Sequence, residues 1–177
     1  MFFSSTSKII TLKIDTFNRL LGRASALLCL LLITLTVLVV LVRLIVGANS
    51  LALQEAITYT HAALFMLCFG VGIIEGQHVR VDIFYQRFSP LTKAWIDAIG
   101  ALLLLLPFAL FLTFISWQFA ARSWQILETS NDTGGLPFVY VLKTLIPITG
   151  ILLALQALSE CIKNALIIYY LPQNETH

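Results

Sequence analysis

The sequence predicts an all-α integral membrane protein with four transmembrane helices, short amphipathic interfacial helices and both termini in the cytoplasm. Of the 177 residues, 59% are hydrophobic and 11% are charged, whereas a soluble domain carries about 25% charged residues. Apolar runs near the roughly 20 residues that a membrane-spanning helix needs occur four times. We therefore interpret residues 1–177 as a single membrane domain.

The four predicted spans are residues 24–46, 56–75, 94–119 and 138–168, with approximate ends. We interpret the first as an uncleaved span rather than a signal peptide. Its apolar run is longer than a signal core, and Arg43 separates that run from the small residues that resemble a cleavage site.

The distribution of Lys and Arg predicts the orientation, because cytoplasmic loops carry the excess of positive charge. One side of the membrane has the N-terminal segment, the loop between spans two and three, and the C-terminal end. That side carries Lys8, Lys13, Arg19, Arg23, Arg80, Arg87, Lys93 and Lys163, and the other carries Arg43, Arg122 and Lys143. The more basic side is predicted to be cytoplasmic.

Residues 1–23 show the pattern of an amphipathic helix lying on the inner leaflet. Basic residues lie between the residues of an apolar face, so the helix has a basic side that anionic lipid would attract. The apolar face consists of Ile10, Ile14, Phe17 and Leu21.

A second interfacial helix is predicted at about residues 80–88, where four apolar residues share one helical face. These residues are Val81, Phe84, Tyr85 and Phe88. Ser89 followed by Pro90 has the pattern of an N-cap and a proline at the first helical position. Span three is therefore expected to begin directly after this turn.

The pattern of polar residues does not favour an enzyme. No catalytic motif and no glycine-rich phosphate loop is present, and no basic run is dense enough to indicate nucleic-acid binding. His61 and His78 are 17 residues apart, about 25 Å along one helix, so they cannot hold one haem between them. The three cysteines are widely spaced in apolar segments. No catalytic residue, metal site or cofactor is predicted.

Transport by this chain alone is also not indicated, because its spans contain almost no charged residues to mark a polar route. Their hydroxyl and amide residues are typical of helix–helix contacts. The apolar surface at membrane depth exceeds what four helices can bury among themselves. We therefore expect a large apolar face to dock on another membrane protein.

The segment after span two resembles the G-x-H-x-R-V-D signature of the small membrane subunit, the Q subunit, of tripartite ATP-independent periplasmic (TRAP) transporters. Arg43 and Glu55 also match that family, and residues 134–159 are similar to its fourth-span region in the branch for α-keto acids and related carboxylates. The resemblance covers residues 43–159. The signature residues are Gly76, His78, Val79, Arg80, Val81 and Asp82.

The resemblance implies a multi-pass protein of the bacterial inner membrane that takes part in sodium-driven uptake of organic acids. A large membrane subunit would carry the substrate and the sodium ions, and a periplasmic substrate-binding protein would deliver the substrate. This chain would act as a scaffold that anchors the large subunit among the membrane lipids. It would bind no cofactor, catalyse no reaction and contact no nucleic acid.

Two groups of polar residues are the candidate sites under this interpretation. Arg122, Glu128 and Asp132 face outward and are placed to contact the binding protein. Arg43 and Glu55 could pair across the outward loop. The structural or subunit-interface group consists of Arg43, Glu55, Glu75, Gly76, His78, Arg80 and Asp82.

Two other functions remain open at this point. One is a cytochrome b-like membrane anchor of a redox enzyme, which a haem absorbance band would identify. The other is an independent small exporter, which transport by the chain alone in liposomes would identify.

Overall fold

The computed structural model describes residues 2–75, 85 and 87–174 of the chain, with side chains described for residues 6–75, 85 and 87–170. Within these residues the protein is helical and contains no strand, which confirms the all-α fold class. The helices are α1 (Phe2–Val46), α2 (Leu51–Ile74), α3 (Pro90–Gly100), a π-helical turn (Ala101–Leu105), α4 (Leu106–Gln125) and α5 (Val139–Asn174).

Four helical segments in the described part of the chain are long and apolar enough to cross a membrane, as the sequence predicts. The third segment combines α3, the π-helical turn and α4 into one continuous rod, Pro90–Gln125. The other three are Thr6–Val46, Leu51–Ile74 and Val139–Tyr170.

Helix α1 differs from the predicted arrangement, because it runs without a break through residue 23. No separate interfacial helix precedes the first span. The buried positions of its N-terminal half are Thr11, Asn18 and Ser25, spaced seven residues apart, whereas Phe17 and Leu20 are 48% and 64% exposed. In a membrane, small and polar side chains mediate helix–helix contacts, because lipid solvates apolar side chains as well as a neighbouring helix does. The polar stripe of this segment therefore packs inward.

The helices also extend beyond the predicted apolar runs. Ser50 caps α2, since its side chain accepts a hydrogen bond from the Leu53 amide at 3.4 Å, so this helix begins before residue 56. The predicted N-cap at Ser89 with Pro90 at the first helical position is confirmed. Hydropathy marks where side chains are apolar, but backbone hydrogen bonds continue a helix past that point.

Most of the predicted interfacial helix at residues 80–88 lies outside the described residues. Tyr85 is described, and its hydroxyl donates a 2.6 Å hydrogen bond to the Asp97 carboxylate in α3. The Lys93 ammonium lies 5.4 Å from the centre of the Tyr85 ring. Tyr85 therefore contacts the first two turns of the third span.

Helix α5 lies at the centre of the bundle, packed against every other helix described. Ala109, Ile73 and Leu153 form the apolar core where α4, α2 and α5 meet. A Cβ added to Gly150 of α5 would lie 3.0 Å from the Ala109 carbonyl oxygen, so a glycine permits the close approach of these two backbones.

Candidate functional site

A cluster of polar side chains joins α1 to α5 at the end of the bundle where α1 begins and α5 ends. We call it the inner cluster, because the distribution of Lys and Arg predicts that this end is cytoplasmic. Its members are Asp15, Asn18, Gln156, Ser159, Glu160 and Lys163.

Gln156 lies at the centre of the inner cluster and is completely buried. Its side-chain carbonyl accepts a 2.7 Å hydrogen bond from the Asn18 amide. Its own amide donates to Asp15 at 3.2 Å and to Glu160 at 3.1 Å. A buried amide is costly unless it is hydrogen-bonded, and here both ends of the Gln156 amide are bonded.

Lys163 neutralises part of the negative charge of the cluster. Its ammonium lies 2.6 Å from an Asp15 oxygen and 2.9 Å from a Glu160 oxygen. Ser159 donates a further 2.8 Å hydrogen bond to Asp15. The two carboxylates are therefore bonded within the protein, and the cluster acts as a connection between helices.

The end of α2 completes this side of the bundle. Arg19 of α1 forms an ion pair with Glu75, and the two side chains are 47% and 41% exposed. Gly70 leaves room for the Asn18 side chain, since a Cβ there would lie 2.9 Å from its amide carbon. Helix α2 is thus held against α1 directly beside the inner cluster.

A second group of polar contacts lies at the opposite end, where residues 126–138 connect α4 to α5. We call this segment the outer loop. The Glu55 carboxylate of α2 accepts a hydrogen bond from the Ser130 hydroxyl and another, of 2.6 Å, from the Leu136 amide. Glu55 therefore binds the outer loop, and it forms no ion pair with Arg43 among the described residues.

A second carboxylate holds the start of the outer loop. The Lys143 ammonium lies 2.5 Å and 2.7 Å from the two Glu128 oxygens. This hydrogen-bonded ammonium lowers the pKa of Glu128 below its ordinary value. Lys143 also lies 4.1 Å from the centre of the Phe119 ring, and Trp124 donates a 2.7 Å hydrogen bond to Thr144. The loop is bonded to α2 and α5.

Helix α4 ends in a Schellman motif with a leucine at its left-handed position. The Glu128 amide donates to the Ser123 carbonyl at 3.0 Å, and the Leu127 amide donates to the Trp124 carbonyl at 3.2 Å. Leu127 has φ of 45°. Glycine is the usual residue at this position, because a Cβ is strained there.

The remaining predicted site residues fall into two groups. Arg43, Arg122 and Asp132 are exposed, and their side chains form no ion pair with another described residue. Gly76, His78, Arg80 and Asp82 lie outside the described residues.

The inner cluster was not predicted as a unit. Gln156 and Ser159 were interpreted only as general packing residues, and Asp15 and Asn18 were assigned to a surface helix. The available signal was the seven-residue spacing of Thr11, Asn18 and Ser25, which is typical of a helix–helix seam.

No group of His, Cys, Asp or Glu side chains able to hold a metal ion occurs within the described part of the chain. All three cysteines are free thiols. His61 lies in α2, whereas His78 and His177 lie outside the described residues.

The chain matches a protein-family model over most of its length. The model for the DctQ component of tripartite ATP-independent periplasmic transporters matches residues 32–166, which is more than half of the chain. No curated protein and no solved structure matches. The matched segment includes Glu55, the outer loop and the α5 part of the inner cluster.

Proposed function

The chain belongs to the DctQ component family of tripartite ATP-independent periplasmic transporters, and on this premise we propose that it anchors the large membrane subunit of a sodium-coupled transporter for organic acids. The family comprises transporter components rather than enzymes. The chain is accordingly a multi-pass membrane protein and a small permease subunit.

The contrast between polar interior and apolar exterior carries this proposal. The polar residues of the inner cluster bond to one another, and Glu55 bonds to the outer loop. Each span has a most apolar window, and the buried share of its residues differs between spans. It is 6% in the first span, 6% in the second and 11% in the third, whereas it is 39% in the fourth. The outer faces of the first three spans are therefore available to a larger membrane partner and to lipid.

The coupling ion and the substrate are assigned to the partners. Under this proposal, the large subunit in the bacterial inner membrane binds sodium and the carboxylate, and a periplasmic binding protein supplies the substrate. The present chain contributes surface area and position, and it needs no cofactor for that role.

Co-expression with the large subunit tests the proposal. A tagged form of this chain should co-purify with the large subunit from mild detergent. Proteoliposomes containing both subunits, supplied with the binding protein, should take up an organic acid only with an inward sodium gradient. Failure of the two chains to co-purify, or equal uptake by the large subunit alone, would contradict the scaffold role.

The absorption spectrum of the purified complex tests the redox-anchor alternative. A transporter subunit should show no haem Soret band. A stoichiometric haem band would favour the redox-anchor interpretation instead.

A further inference from the structure

One face of α2 carries polar and small side chains at membrane depth, although it points away from the rest of the bundle. We propose that this face is the docking seam for a transmembrane helix of the large membrane subunit, with His61 as its central contact residue. This docking role rests on the proposed function, because it specifies where on the chain the large subunit binds.

The residues of this face recur at alternating intervals of four and three positions, which is the spacing of a helix–helix seam. We call them the α2 seam, and they are Gln54, Thr58, His61, Phe65, Cys68 and Gly72. The first four are exposed and the last two are half-buried. The opposite side of the helix packs inside the chain, where Gly70 and Ile73 are buried. The α2 seam is therefore a second packing face that no described helix covers.

His61 is the most informative residue of the α2 seam. It lies ten positions after Leu51, the first residue of α2, which is about 15 Å along the helix, whereas the hydrocarbon core of a membrane is about 30 Å thick. Its side chain is exposed and forms no hydrogen bond with any group in the described part of the chain. An imidazole facing hydrocarbon is costly, because it loses water without gaining another partner. A polar group of another membrane protein would remove that cost.

Phe65 gives the α2 seam a rigid aromatic contact one turn further along the helix. Its ring is 58% exposed and packs edge-on against Phe69, with ring centres 4.9 Å apart and an angle of 80° between the rings. Phe69 in turn packs against the apolar core of the bundle. An aromatic side chain that is already held in place loses little conformational entropy when a partner binds.

Gly72 leaves space on the α2 seam that the chain itself does not use. A Cβ added there would meet no described atom within 4 Å, whereas a Cβ at Gly70 would lie 2.9 Å from the Asn18 side chain. Glycine destabilises a helix interior relative to alanine, and no contact in the described structure requires it at this position. Small residues let two helix backbones approach closely in a membrane. The gap at Gly72 therefore fits the backbone of a partner helix.

The outward face of the third span has the opposite composition. Between Leu102 and Trp117, every exposed side chain of that span is apolar, and Phe114 is 73% exposed. Lipid solvates such side chains as well as a neighbouring helix does, so this face needs no protein cover. The contrast favours α2 over the third span as the side on which the large subunit docks.

A transmembrane helix is the occupant that fits the α2 seam. The seam lies within the membrane-spanning segment Leu51–Ile74, so a soluble protein cannot reach its centre, and an acyl chain offers His61 no hydrogen bond. The family is one component of a tripartite transporter, and the proposed function supplies a second membrane subunit. We therefore expect a helix of that subunit to cross α2 at about 20°, with a hydrogen-bonding side chain opposite His61.

Gly72→Leu separates docking from folding, because the two predict opposite effects. Leucine is a better helix former than glycine and its Cβ enters open space, so the melting temperature of the chain expressed alone should stay the same or rise. The same side chain fills the gap for the partner backbone. Recovery of the large subunit with the tagged chain from mild detergent should therefore fall by about fivefold or more.

Gly100→Leu is the matched control for this substitution. Gly100 lies in the third span, and a Cβ there also meets no described atom within 4 Å. The control makes the same change of residue in a membrane-spanning helix outside the α2 seam. Recovery of the large subunit should stay at the wild-type level.

His61 is tested by a graded pair of variants in the same co-purification. His61→Leu removes the hydrogen-bonding group and should lower recovery by about fivefold or more, although leucine suits a lipid-facing position better than histidine does. His61→Gln retains a hydrogen-bonding side chain and should recover part of the loss. Phe114→Leu is the control at similar depth, since Phe114 lies 11 positions before Gln125, the last residue of α4. It should leave recovery unchanged.

Photo-cross-linking identifies the occupant directly in native membranes that contain both subunits. His61→p-benzoylphenylalanine should cross-link to the large subunit on illumination. The same photoreactive residue in place of Phe114 should give no protein cross-link. A product with twice the mass of this chain would show that a second copy occupies the α2 seam, and it would overturn the assignment to the large subunit.

Two further results would overturn the α2 seam as the docking site. One is normal recovery in both Gly72→Leu and His61→Leu, above all if the third-span controls lose the large subunit. The other is lost recovery together with a lower melting temperature of the chain expressed alone, which would show a folding role. Failure of the wild-type subunits to co-purify is a different result, because it would show that the proposed function itself is wrong.

Discussion

The side chain of Asn18 in α1 donates a 2.7 Å hydrogen bond to Gln156 in α5, a residue 138 positions away in the sequence. Both side chains are almost completely buried, at 1% and 0% exposure. This bond connects the first helix of the protein to its last. Substituting either residue is therefore the most direct test of how the inner cluster holds the bundle together.

Substituting Gln156 by leucine should destabilise the protein by about 1–3 kcal/mol, because buried hydrogen-bonding groups would lose their partner. Leucine has a similar size, so the effect reports the lost hydrogen bonds rather than a cavity. Thermal unfolding of the purified protein in detergent, followed by tryptophan fluorescence, measures the change. An unchanged melting temperature would show that the cluster does not contribute to stability.

The double variant Asn18→Leu with Gln156→Leu provides the control for this pair. Removing both partners leaves fewer unsatisfied groups than the two single changes predict separately. We therefore expect the double variant to be more stable than the sum of the single effects indicates. Simple additivity would mean that the two side chains act independently.

Gly150→Ala should lower stability by about 1–3 kcal/mol through overpacking. The added Cβ would lie 2.9 Å from the Thr113 backbone nitrogen and 3.0 Å from the Ala109 carbonyl oxygen, so α4 and α5 must separate. Gly72→Ala is the matched control, because no atom lies within 4 Å of a Cβ there. It should be neutral or slightly stabilising. Equal melting temperatures for the two variants would contradict close packing at Gly150.

The Arg19–Glu75 ion pair should contribute much less than the inner cluster. Both side chains are more than one third exposed, and pairs of this kind are worth about 0–1 kcal/mol because solvent screens them. Glu75→Gln is expected to shift the melting temperature less than Gln156→Leu does. The reverse order, measured at matched ionic strength, would refute this ranking.

The Glu128–Lys143 pair predicts a pH dependence. The pKa of Glu128 is lowered from its ordinary 4.5 by the hydrogen bond from Lys143, so the folded state binds fewer protons than the unfolded state below that value. The stabilisation is therefore fully present above the ordinary pKa and is lost as pH falls through the folded pKa.

The comparison of wild type with Glu128→Gln separates the stabilisation by the Glu128–Lys143 pair from the effects of the other acidic groups. The difference in melting temperature should be largest near neutral pH, should shrink as the pH falls below 4.5, and should disappear below the pKa of Glu128 in the folded protein. A difference that grows on acidification would mean that the pair is not formed as the structure places it.

The polar residues illustrate what sequence patterns can and cannot predict. Glu55 was identified as a candidate site residue, and its pairing with Arg43 was left open. The structure bonds it instead to Ser130 and Leu136 in the outer loop. Residues far apart in sequence come together only through helix packing, so no local pattern could specify this contact. The contact of Glu128 with the binding protein stays a prediction, and the structure adds an ion pair with Lys143.

The sequence by itself determined the number of spans, their approximate positions and the family. These properties follow from apolar segment length and from short motifs, both of which are local. The N-cap at Ser89 is equally local, and its prediction was confirmed.

Only the tertiary structure decided which face of each helix points inward. In lipid, an apolar side chain is solvated as well outside the bundle as inside, so hydrophobicity does not specify the buried face. Hydrogen bonding and close backbone approach decide it instead. This is why Asn18 and Gln156 are buried while Leu20 is 64% exposed, and why α1 continues as one helix through residue 23.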